Sequence, residues 1–430
     1  MKLEGSKALV VGMEKSGRAA AEFLRARGAI VTATDIRLQD VPGFRLQSEE
    51  LFDEPWDLIV LSPGVPSDLP GLQRARTRGV EVIGEIELAA PWLRGKTIGI
   101  TGSNGKTTTT SLVGHILKNA GVPVQVGGNI GTPVIAMAET SLEGQWNVLE
   151  LSSFQLETIR SFHANVAVCL NVTQNHLDRH HTFENYAAAK GNLFRTQAAG
   201  DYAVLNADDA TCRSFAGLTA AKTVWFSGND IRDGQVWVGD ESLMPLSDIP
   251  IPGRHNAENV MAAAAAARFA EVSLEQIAAA VRTFHAVEHR LEFVTEIRGV
   301  RFYNDSKATS VDATIKALDS FEGNLWVILG GKDKGSDYTV LRERLQRKAK
   351  AALLIGSSAE KIADQLAGAT NLIGAGTLDR AVAEAWQQAV PGDTVLLAPA
   401  CASFDQFQSY EHRGQVFKQL VGQLKHGAEA

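Results

Sequence analysis

Lys96-Thr-Ile-Gly-Ile-Thr-Gly-Ser-Asn-Gly-Lys-Thr-Thr-Thr-Thr110 is the stretch on which the fold turns. An apolar strand runs into a glycine-rich turn. Lys106 and Thr107 follow at the start of what reads as a helix, expected from Thr110 to Asn119. Such a turn points several backbone N–H groups and the positive end of a helix dipole at one place. Lys106 adds a mobile cation with the reach for β- and γ-phosphates, and Thr107 adds a hydroxyl suited to Mg2+. The spacing departs from the strict Walker A form: the first glycine of that pattern falls on Ile100, and the glycines present are Gly99, Gly102 and Gly105. The stretch reads as a nucleoside-triphosphate loop. The plainer alternative is a tight strand-to-helix turn that happens to carry Lys-Thr.

The chain around it has 430 residues, enough for two to four domains, with 45% apolar and 21% charged residues. A net charge of −7 argues against a bulk nucleic-acid binder while allowing a local basic pocket for phosphates. Cys169, Cys212 and Cys401 are scattered and odd in number, so neither a disulfide framework nor a zinc spacing is expected, in keeping with a reducing cytoplasm. The N-terminus runs straight into a strand pattern, so no signal peptide is expected. The longest apolar run, Val260 to Ala267, is too short to span a membrane.

Upstream of the loop, short apolar strands (residues 7–12, 30–35, 58–62 and 80–84) alternate with helical segments, the pattern of parallel βαβ units. Gly12 and Gly17 flank a strand-to-helix turn, and Asp35 closes the next strand, as in a dinucleotide fingerprint. The middle glycine of that fingerprint is replaced by Glu14, which would repel a closely held pyrophosphate. A nucleotide-sugar diphosphate site, an NAD site and plain scaffold turns all stay open here. After Pro91 a second α/β unit begins with the phosphate loop. Its strands end near Glu150 and Asn171, hairpins are expected over residues 228–248, and an Ala-rich helix opens at Gly253-Arg-His-Asn-Ala-Glu-Asn259. A third α/β unit starts near Glu288, with strands expected at residues 302–305, 325–329, 352–355 and 394–399.

Strand ends bring polar groups to one edge of a parallel sheet. Glu150 there is a hard oxygen ligand for Mg2+, the alternative being a capping or solvated carboxylate. His176, in Asn-His-Leu-Asp-Arg179, is either a site residue or a structural hydrogen-bonder. Lys190, after Tyr186-Ala-Ala-Ala, reads from its own surroundings as a surface lysine. Asn256 and Asn259 lie three apart on one helix face, placed to meet a nucleotide or a neighbouring domain. Asn304-Asp-Ser-Lys-Ala-Thr309 offers a carboxylate, hydroxyls and a cation in one loop. Gly330-Gly-Lys-Asp-Lys-Gly335 offers two lysines to a carboxylate or a transferring phosphoryl group, or is a solvated hairpin. Ser403, in Ala400-Cys-Ala-Ser-Phe-Asp405, is a donor to a ligand carboxylate or a helix N-cap; Cys401 has no evident partner.

Together these motifs resemble the Mur ligases of bacterial cell-wall synthesis. The resemblance rests on Thr101-Gly-Ser-Asn-Gly-Lys-Thr-Thr108, Gly128-Asn-Ile-Gly131, Leu149-Glu-Leu-Ser-Ser-Phe-Gln-Leu156, Asn171-Val-Thr-Gln-Asn-His-Leu-Asp-Arg179, Gly253-Arg-His-Asn-Ala-Glu-Asn259, Glu288-His-Arg-Leu-Glu292, Asn304-Asp-Ser-Lys-Ala-Thr309 and Ala398-Pro-Ala-Cys-Ala-Ser-Phe-Asp-Gln-Phe407. They run nearly the length of the chain in the family's order. The Leu-Glu-Leu-Ser-Ser, Asn-Asp-Ser-Lys-Ala-Thr and Ala-Cys-Ala-Ser segments are more specific to the branch that adds D-glutamate.

The resemblance implies three α/β domains: a Rossmann-like N-terminal domain for a UDP-linked substrate (1–91), a central P-loop-type ATPase domain (92–287) and a Rossmann-like C-terminal domain for an amino acid (288–430). It implies that Gly102, Ser103, Asn104, Gly105, Lys106, Thr107, Thr108, Asn256, Asn259, Arg290 and Asp305 contact ATP, and that Ser16, Asp35, Ile36, Gly64 and Asn129 contact the UDP-linked substrate. Lys307, Thr309, Lys334, Ser403 and Tyr410 match positions around D-glutamate. Thr107, Glu150, His176 and Lys190 match the Mg2+ and acyl-phosphate site, with Lys190 carbamylated so that its cation becomes an anionic ligand; Lys106, His176 and Lys190 match the catalytic set. The expected chemistry is ATP-dependent addition of D-glutamate to UDP-N-acetylmuramoyl-L-alanine through an acyl phosphate and a tetrahedral intermediate, by a cytoplasmic monomer that binds no nucleic acid. A different Mur ligase, a folylpolyglutamate synthase, or a non-catalytic nucleotide sensor built on Rossmann-like units are the alternatives.

Overall fold

Ala8-Leu-Val-Val11 is apolar without alternation and fully buried, as a parallel strand covered on both faces must be. In the computed structural model, which describes residues 2–285 and 287–429, it belongs to strand β1 (Lys7–Val11). With β2 (Ile30–Asp35), β3 (Phe44–Leu46), β4 (Leu58–Leu61) and β5 (Glu81–Gly84) it forms a parallel sheet of order β3-β2-β1-β4-β5. The chain leaves β1 in one direction and returns to its other side at β4, so a crevice opens between their carboxyl ends. Ser62 Oγ donates to the Gly12 carbonyl across that crevice at 2.6 Å. Gly17 opens the following helix (Lys15–Ala26) so close to the turn that a Cβ there would sit 1.8 Å from the Gly12 oxygen.

The second sheet is again parallel, of order β11-β10-β9-β6-β8-β7, from β6 (Lys96–Thr101), β7 (Val124–Gly128), β8 (Trp146–Glu150), β9 (Val166–Cys169), β10 (Tyr202–Asn206) and β11 (Lys222–Phe226). Its register sets Ile100 beside Glu150 and Thr101 beside Cys169, so the phosphate loop after β6 lies between the ends of β8 and β9. The expected hairpins are a small antiparallel sheet, β12 (Ile231–Arg232), β13 (Gln235–Val238) and β14 (Glu241–Pro245). The third sheet has order β15-β16-β20-β17-β18-β19, from β15 (Glu292–Ile297), β16 (Val300–Asn304), β17 (Leu325–Gly330), β18 (Ala349–Ile355), β19 (Asn371–Gly376) and β20 (Thr394–Leu397). Only β15 runs antiparallel to its neighbour. Among the described residues no helix is long and apolar enough to cross a membrane.

The chain forms two compact units, Met1–Leu246 with Glu258–Val281, and Ser247–Ala257 with Arg282–Ala430. The first two sheets therefore share one unit. One apolar cluster runs through both, joining Ile86, Leu88 and Ala89 to Val134, Ile135 and Met137. Two buried carboxylates from the short helix Glu85–Ala89 reinforce it. Glu85 accepts from the Ile135 N–H at 2.6 Å, while its Oε2 has no partner among the described residues. Glu87 accepts from the N–H groups of Arg160 (2.8 Å), Ser161 (2.8 Å) and Phe162 (3.2 Å) and from the Ser161 hydroxyl.

The two carboxyls titrate in opposite directions. Burial pushes Glu85 up to about 7, against the two N–H groups of Ile135 and Val134 that favour its charge. Burial also acts to raise Glu87, but its donors outweigh it and hold the carboxyl below its ordinary value. A carboxyl raised on folding contributes stability when protonated and loses it as pH rises through the folded value; a lowered one contributes above its unfolded pKa and loses that as pH falls through the folded value. Urea unfolding should therefore show Glu87→Ala costing about 2–4 kcal/mol at neutral pH, from donors left buried and unpaired. Glu85→Gln should instead flatten the loss of wild-type stability between about pH 4.5 and pH 7, the span from the ordinary carboxyl value to the folded value of about 7. Equal effects of both variants at both pH values would contradict this assignment.

Candidate active site

The helix after the phosphate loop begins at Lys106, one turn earlier than its sequence suggested, and runs to Asn119. Gly105 precedes it in the left-handed conformation (φ +84°), and a Cβ there would lie 2.3 Å from Asn259 Oδ1, so Asn259 is pressed against the loop. The loop is stapled to the segment after β9. The Ser103 N–H donates to the Asn171 carbonyl at 2.8 Å, the Asn104 N–H to Asn171 Oδ1 at 2.9 Å, and Ser103 Oγ to the Thr173 carbonyl at 2.9 Å. Thr107 and Thr108 are buried in the first helical turn.

Lys106 Nζ folds back onto the carbonyls of Gly102 (2.8 Å) and Ser103 (3.0 Å). Lys190 is no surface residue: it is 1% exposed, on the helix Phe183–Arg195 beneath the loop. Its Nζ donates to the same Gly102 carbonyl at 2.9 Å and lies 3.5 Å from Thr101 Oγ1. Burial, and next the charge of Lys106, push its pKa well below the ordinary lysine value. The Tyr186 ring lies 4.7 Å from that Nζ, and the Tyr186 hydroxyl is 2.9 Å from Ser103 Oγ. Sequence reasoning passed over Tyr186, although its spacing of four from Lys190 puts both on one helix face.

Glu150, at the end of β8, is 2% exposed, which excludes the solvated-carboxylate reading. Its Oε1 accepts from Asn129 Nδ2 at 2.8 Å, and its Oε2 has no hydrogen-bond partner among the described residues. A buried, half-satisfied carboxylate is costly alone and suits a hard divalent cation. Among the described residues no three His, Cys, Asp or Glu side chains cluster into a metal cage. Of the residues described so far, Glu150 and the Thr107 hydroxyl could hold Mg2+, which keeps phosphate oxygens and water among its ligands.

His176 is exposed, in a left-handed conformation (φ 53°), with its ring 4.9 Å from Phe154 and 6.4 Å from Tyr186. The histidine built into the structure is His180, which meets Ser153 Oγ at 3.0 Å and Glu157 Oε1 at 3.2 Å. Beside it, Arg179 pairs with Glu157 at 2.8 Å and donates to the Val65 carbonyl at 2.8 Å, holding the loop after β4.

At the first sheet, Asp35 accepts from the N–H groups of Met13 (2.7 Å) and Arg37 (3.0 Å). Burial raises its pKa, but these donors and the Arg37 charge outweigh it and keep the carboxyl below its ordinary value. Ile36 is 75% exposed, Gly64 is exposed and Ser16 half-buried. Glu14 points to solvent, 3.3 Å from Arg37, so the charge expected to repel a pyrophosphate is turned outward and paired. The Lys15 ammonium donates to the Gly131 carbonyl, in the loop that carries Asn129.

In the second unit, four loops leave the carboxyl ends of β16, β17, β18 and β20 on one edge of the sheet. Asp305 is buried, and burial pushes it up to about 6, against Arg290, the Leu291 N–H and Lys307. Lys307 Nζ lies 5.6 Å from the Tyr410 ring, and the Thr309 N–H donates to the Lys307 carbonyl at 2.8 Å. Arg413, fully buried, donates to Ser306 Oγ (3.0 Å) and to the carbonyls of Ser306 (2.9 Å) and Cys401 (3.2 Å). Lys334 is exposed and Ser403 buried. Asn256 belongs to this unit, its Nδ2 donating to the Pro252 carbonyl at 2.6 Å, whereas Asn259 belongs to the first.

Three protein families match the chain in order: the Mur ligase MurD-like N-terminal domain over residues 6–84, the Mur ligase middle domain over 100–267, and the Mur ligase glutamate ligase domain over 289–401. A UDP-N-acetylmuramoylalanine--D-glutamate ligase of Solibacter usitatus is 64% identical over 440 residues, covering 99% of each chain. The protein of that name from Thermoanaerobacter pseudethanolicus is 41% identical, over 99% of this chain and 100% of the relative. Among solved structures, the UDP-N-acetylmuramate-alanine ligase MurC of Thermotoga maritima shares the fold, with a TM-score of 0.62 at 18% identity over 98% of this chain and 100% of that one. Three α/β domains in the family's order, with a phosphate loop set over a buried lysine, agree with these matches: the chain belongs to the Mur ligase family, and its curated relatives lie in the D-glutamate-adding branch.

Proposed function

We propose that this protein is an ATP-dependent ligase that joins D-glutamate to UDP-N-acetylmuramoyl-L-alanine in peptidoglycan precursor synthesis. The observation that carries the reading is the meeting of Lys106 and buried Lys190 on one carbonyl of the phosphate loop, with the half-satisfied Glu150 at the same sheet edge. The printed activity of the relatives supports the choice of substrates. Domain limits at 91/92 and 287/288 are part of the proposal, as are action in the cytoplasm as a monomer.

Residues 102–108 cradle the ATP phosphates, and Asn256, Asn259, Arg290 and Asp305 complete the nucleotide contacts. Ser16, Asp35, Ile36, Gly64 and Asn129 hold the UDP-linked substrate. Lys106 swings from the Gly102 and Ser103 carbonyls to the phosphates and neutralises charge as the γ-phosphoryl passes to the substrate's terminal carboxylate. Glu150, Thr107, His176 and the carbamate of Lys190 would hold Mg2+, which would supply further neutralisation of the phosphate oxygens. The amine of D-glutamate, its carboxylates held by Lys307, Thr309, Lys334, Ser403 and Tyr410, then attacks the acyl carbon as the neutral amine. Nearby donors stabilise the tetrahedral oxyanion, which collapses by breaking the acyl C–O bond, releasing inorganic phosphate and leaving the amide once the nitrogen has lost its proton. Lys190 acts as a carbamate: burial favours the neutral amine that adds CO2, and the anion formed replaces an unfavourable buried cation with a ligand oxygen.

Phosphate release from ATP should require both UDP-N-acetylmuramoyl-L-alanine and D-glutamate, and L-glutamate should not substitute. Lys106→Ala should lower turnover by about a thousandfold. Release with neither acceptor present, or with L-glutamate, would contradict the assignment. Lys190→Ala should be inactive and not restored by bicarbonate, and wild-type protein in 13C-bicarbonate should give a carbamate carbon resonance that the variant lacks. Full activity of Lys190→Ala would refute the carbamate role.

A further inference from the structure

The loop that carries Lys334 and the loop that carries Ser403 are held together by a small buried network that the motifs did not reveal. The backbones meet first: the Lys332 N–H donates to the Ala402 carbonyl at 2.8 Å, and the Ala402 N–H to the Lys332 carbonyl at 3.2 Å, an isolated antiparallel bridge. Behind the bridge stands Tyr338, with no exposed surface. Its hydroxyl donates to Asp333 Oδ1 at 2.8 Å, and the same oxygen lies 2.9 Å from Cys401 Sγ. Asp333 is the residue directly before Lys334. It is also paired with Lys361 Nζ at 2.7 Å and accepts from the Ser336 N–H at 3.1 Å. Cys401 is two residues before Ser403 and lies 3.3 Å from Ser358 Oγ, which accepts from the Gly331 N–H at 3.2 Å. The tyrosine hydroxyl thus touches the residue before Lys334 on one side and the serine loop on the other, while the Ser358 hydroxyl spans the more distant Gly331 and the same Cys401.

We propose that Tyr338 is a positioning residue for the amino-acid substrate: its hydroxyl fixes the spacing of the Lys334 loop from Ser403 and thereby the fit of a dicarboxylate amino acid between an ammonium and a hydroxyl. This rests on the assignment of Lys334 and Ser403 to D-glutamate. A cationic loop that is exposed, as Lys334 is, loses side-chain and backbone freedom when it clamps a carboxylate. Anchoring the preceding residue through Asp333 removes part of that cost before binding. Burial makes the anchor effective, since a hydroxyl bonded on both sides in a dry interior has no water to exchange with. The side-chain hydrogen bonds of Tyr338 go to Asp333 and Cys401 and its N–H donates to Gln365, none of them assigned to the nucleotide or to phosphoryl transfer, so its effect falls on binding of the amino acid.

The test is steady-state kinetics on the full-length protein with each substrate varied in turn. Tyr338→Phe should raise KM for D-glutamate about five- to tenfold, the loss of one buried hydrogen bond, and leave kcat and the KM values for ATP and the UDP-linked substrate within about twofold. Cys401→Ala removes the partner on the serine side only, and should move KM for D-glutamate in the same direction even if the tyrosine variant folds poorly. Lys334→Ala should raise that KM further, and adding Tyr338→Phe to it should have little additional effect, because the anchor then has nothing to position. Unchanged KM for D-glutamate in both Tyr338→Phe and Cys401→Ala, or a uniform change in every kinetic constant, would overturn the proposal. If Lys334→Ala itself leaves KM for D-glutamate unchanged, the assignment of that lysine fails, and the proposal with it.

Discussion

One carbonyl oxygen, that of Gly102, accepts from two lysine ammonium groups, Lys106 at 2.8 Å and Lys190 at 2.9 Å. Two lysines meeting on one dipole, one of them buried and pushed well below its ordinary pKa, favour negative charge brought to the same place. The loop, the helix that begins at Lys106 and the helix that carries Lys190 are all placed so that this added charge arrives at the end of β6. In the proposed function phosphates answer one lysine, and the proposed carbamate would convert the other to an anion. Glu150 has the complementary deficit, an anionic oxygen with no described donor. A site with two lysines on one carbonyl and a half-satisfied carboxylate at the same sheet edge suits a metal–nucleotide complex.

The position of that site follows from strand order. In each of the three sheets the chain reverses its direction of growth beside a central strand, and the loops at the carboxyl ends of the flanking strands hold the polar groups. The first two sheets are joined in one unit by a continuous apolar cluster and by Glu85 and Glu87, whose carboxylates replace missing helix and turn partners across the junction. The crevice between β1 and β4 and the phosphate loop thereby belong to one compact unit. Arg179, donating to Val65 while paired with Glu157, adds a third tie close to the proposed metal site.

Much of this was legible in the sequence, for identifiable reasons. Fully buried parallel strands such as Ala8-Leu-Val-Val11 and Leu325-Trp-Val-Ile-Leu-Gly330 are uninterrupted apolar runs, and glycines mark the turns that follow them. The strands that escaped notice, Phe44–Leu46, Glu292–Ile297 and Asn371–Gly376, lie at sheet edges, half-exposed and interrupted by charge or glycine. The helix start at Lys106 was displaced because a run of β-branched threonines is a weak local helix signal, overridden here by tertiary packing. Lys190 read as a surface lysine until family resemblance reversed that, since nothing in Ala-Ala-Ala-Lys says that a glycine-rich loop lies over it. The neighbouring sequence offers Cys401 no partner. Its partners, Tyr338 and Ser358, are 63 and 43 residues away, and folding alone brings them within reach. Periodicity thus reports elements, and resemblance reports roles, but the buried polar contacts that aim a side chain depend on long-range pairing.

The central claim is that this site activates a carboxylate by phosphorylating it. It is tested most directly by isotope transfer, using UDP-N-acetylmuramoyl-L-alanine labelled with 18O in the terminal carboxylate, with ATP and D-glutamate. The account predicts that each phosphate released carries one substrate-derived 18O and that the new amide carbonyl keeps the other. Phosphate free of the label, with amide product formed, would show that the bond is made without an acyl phosphate and would contradict it.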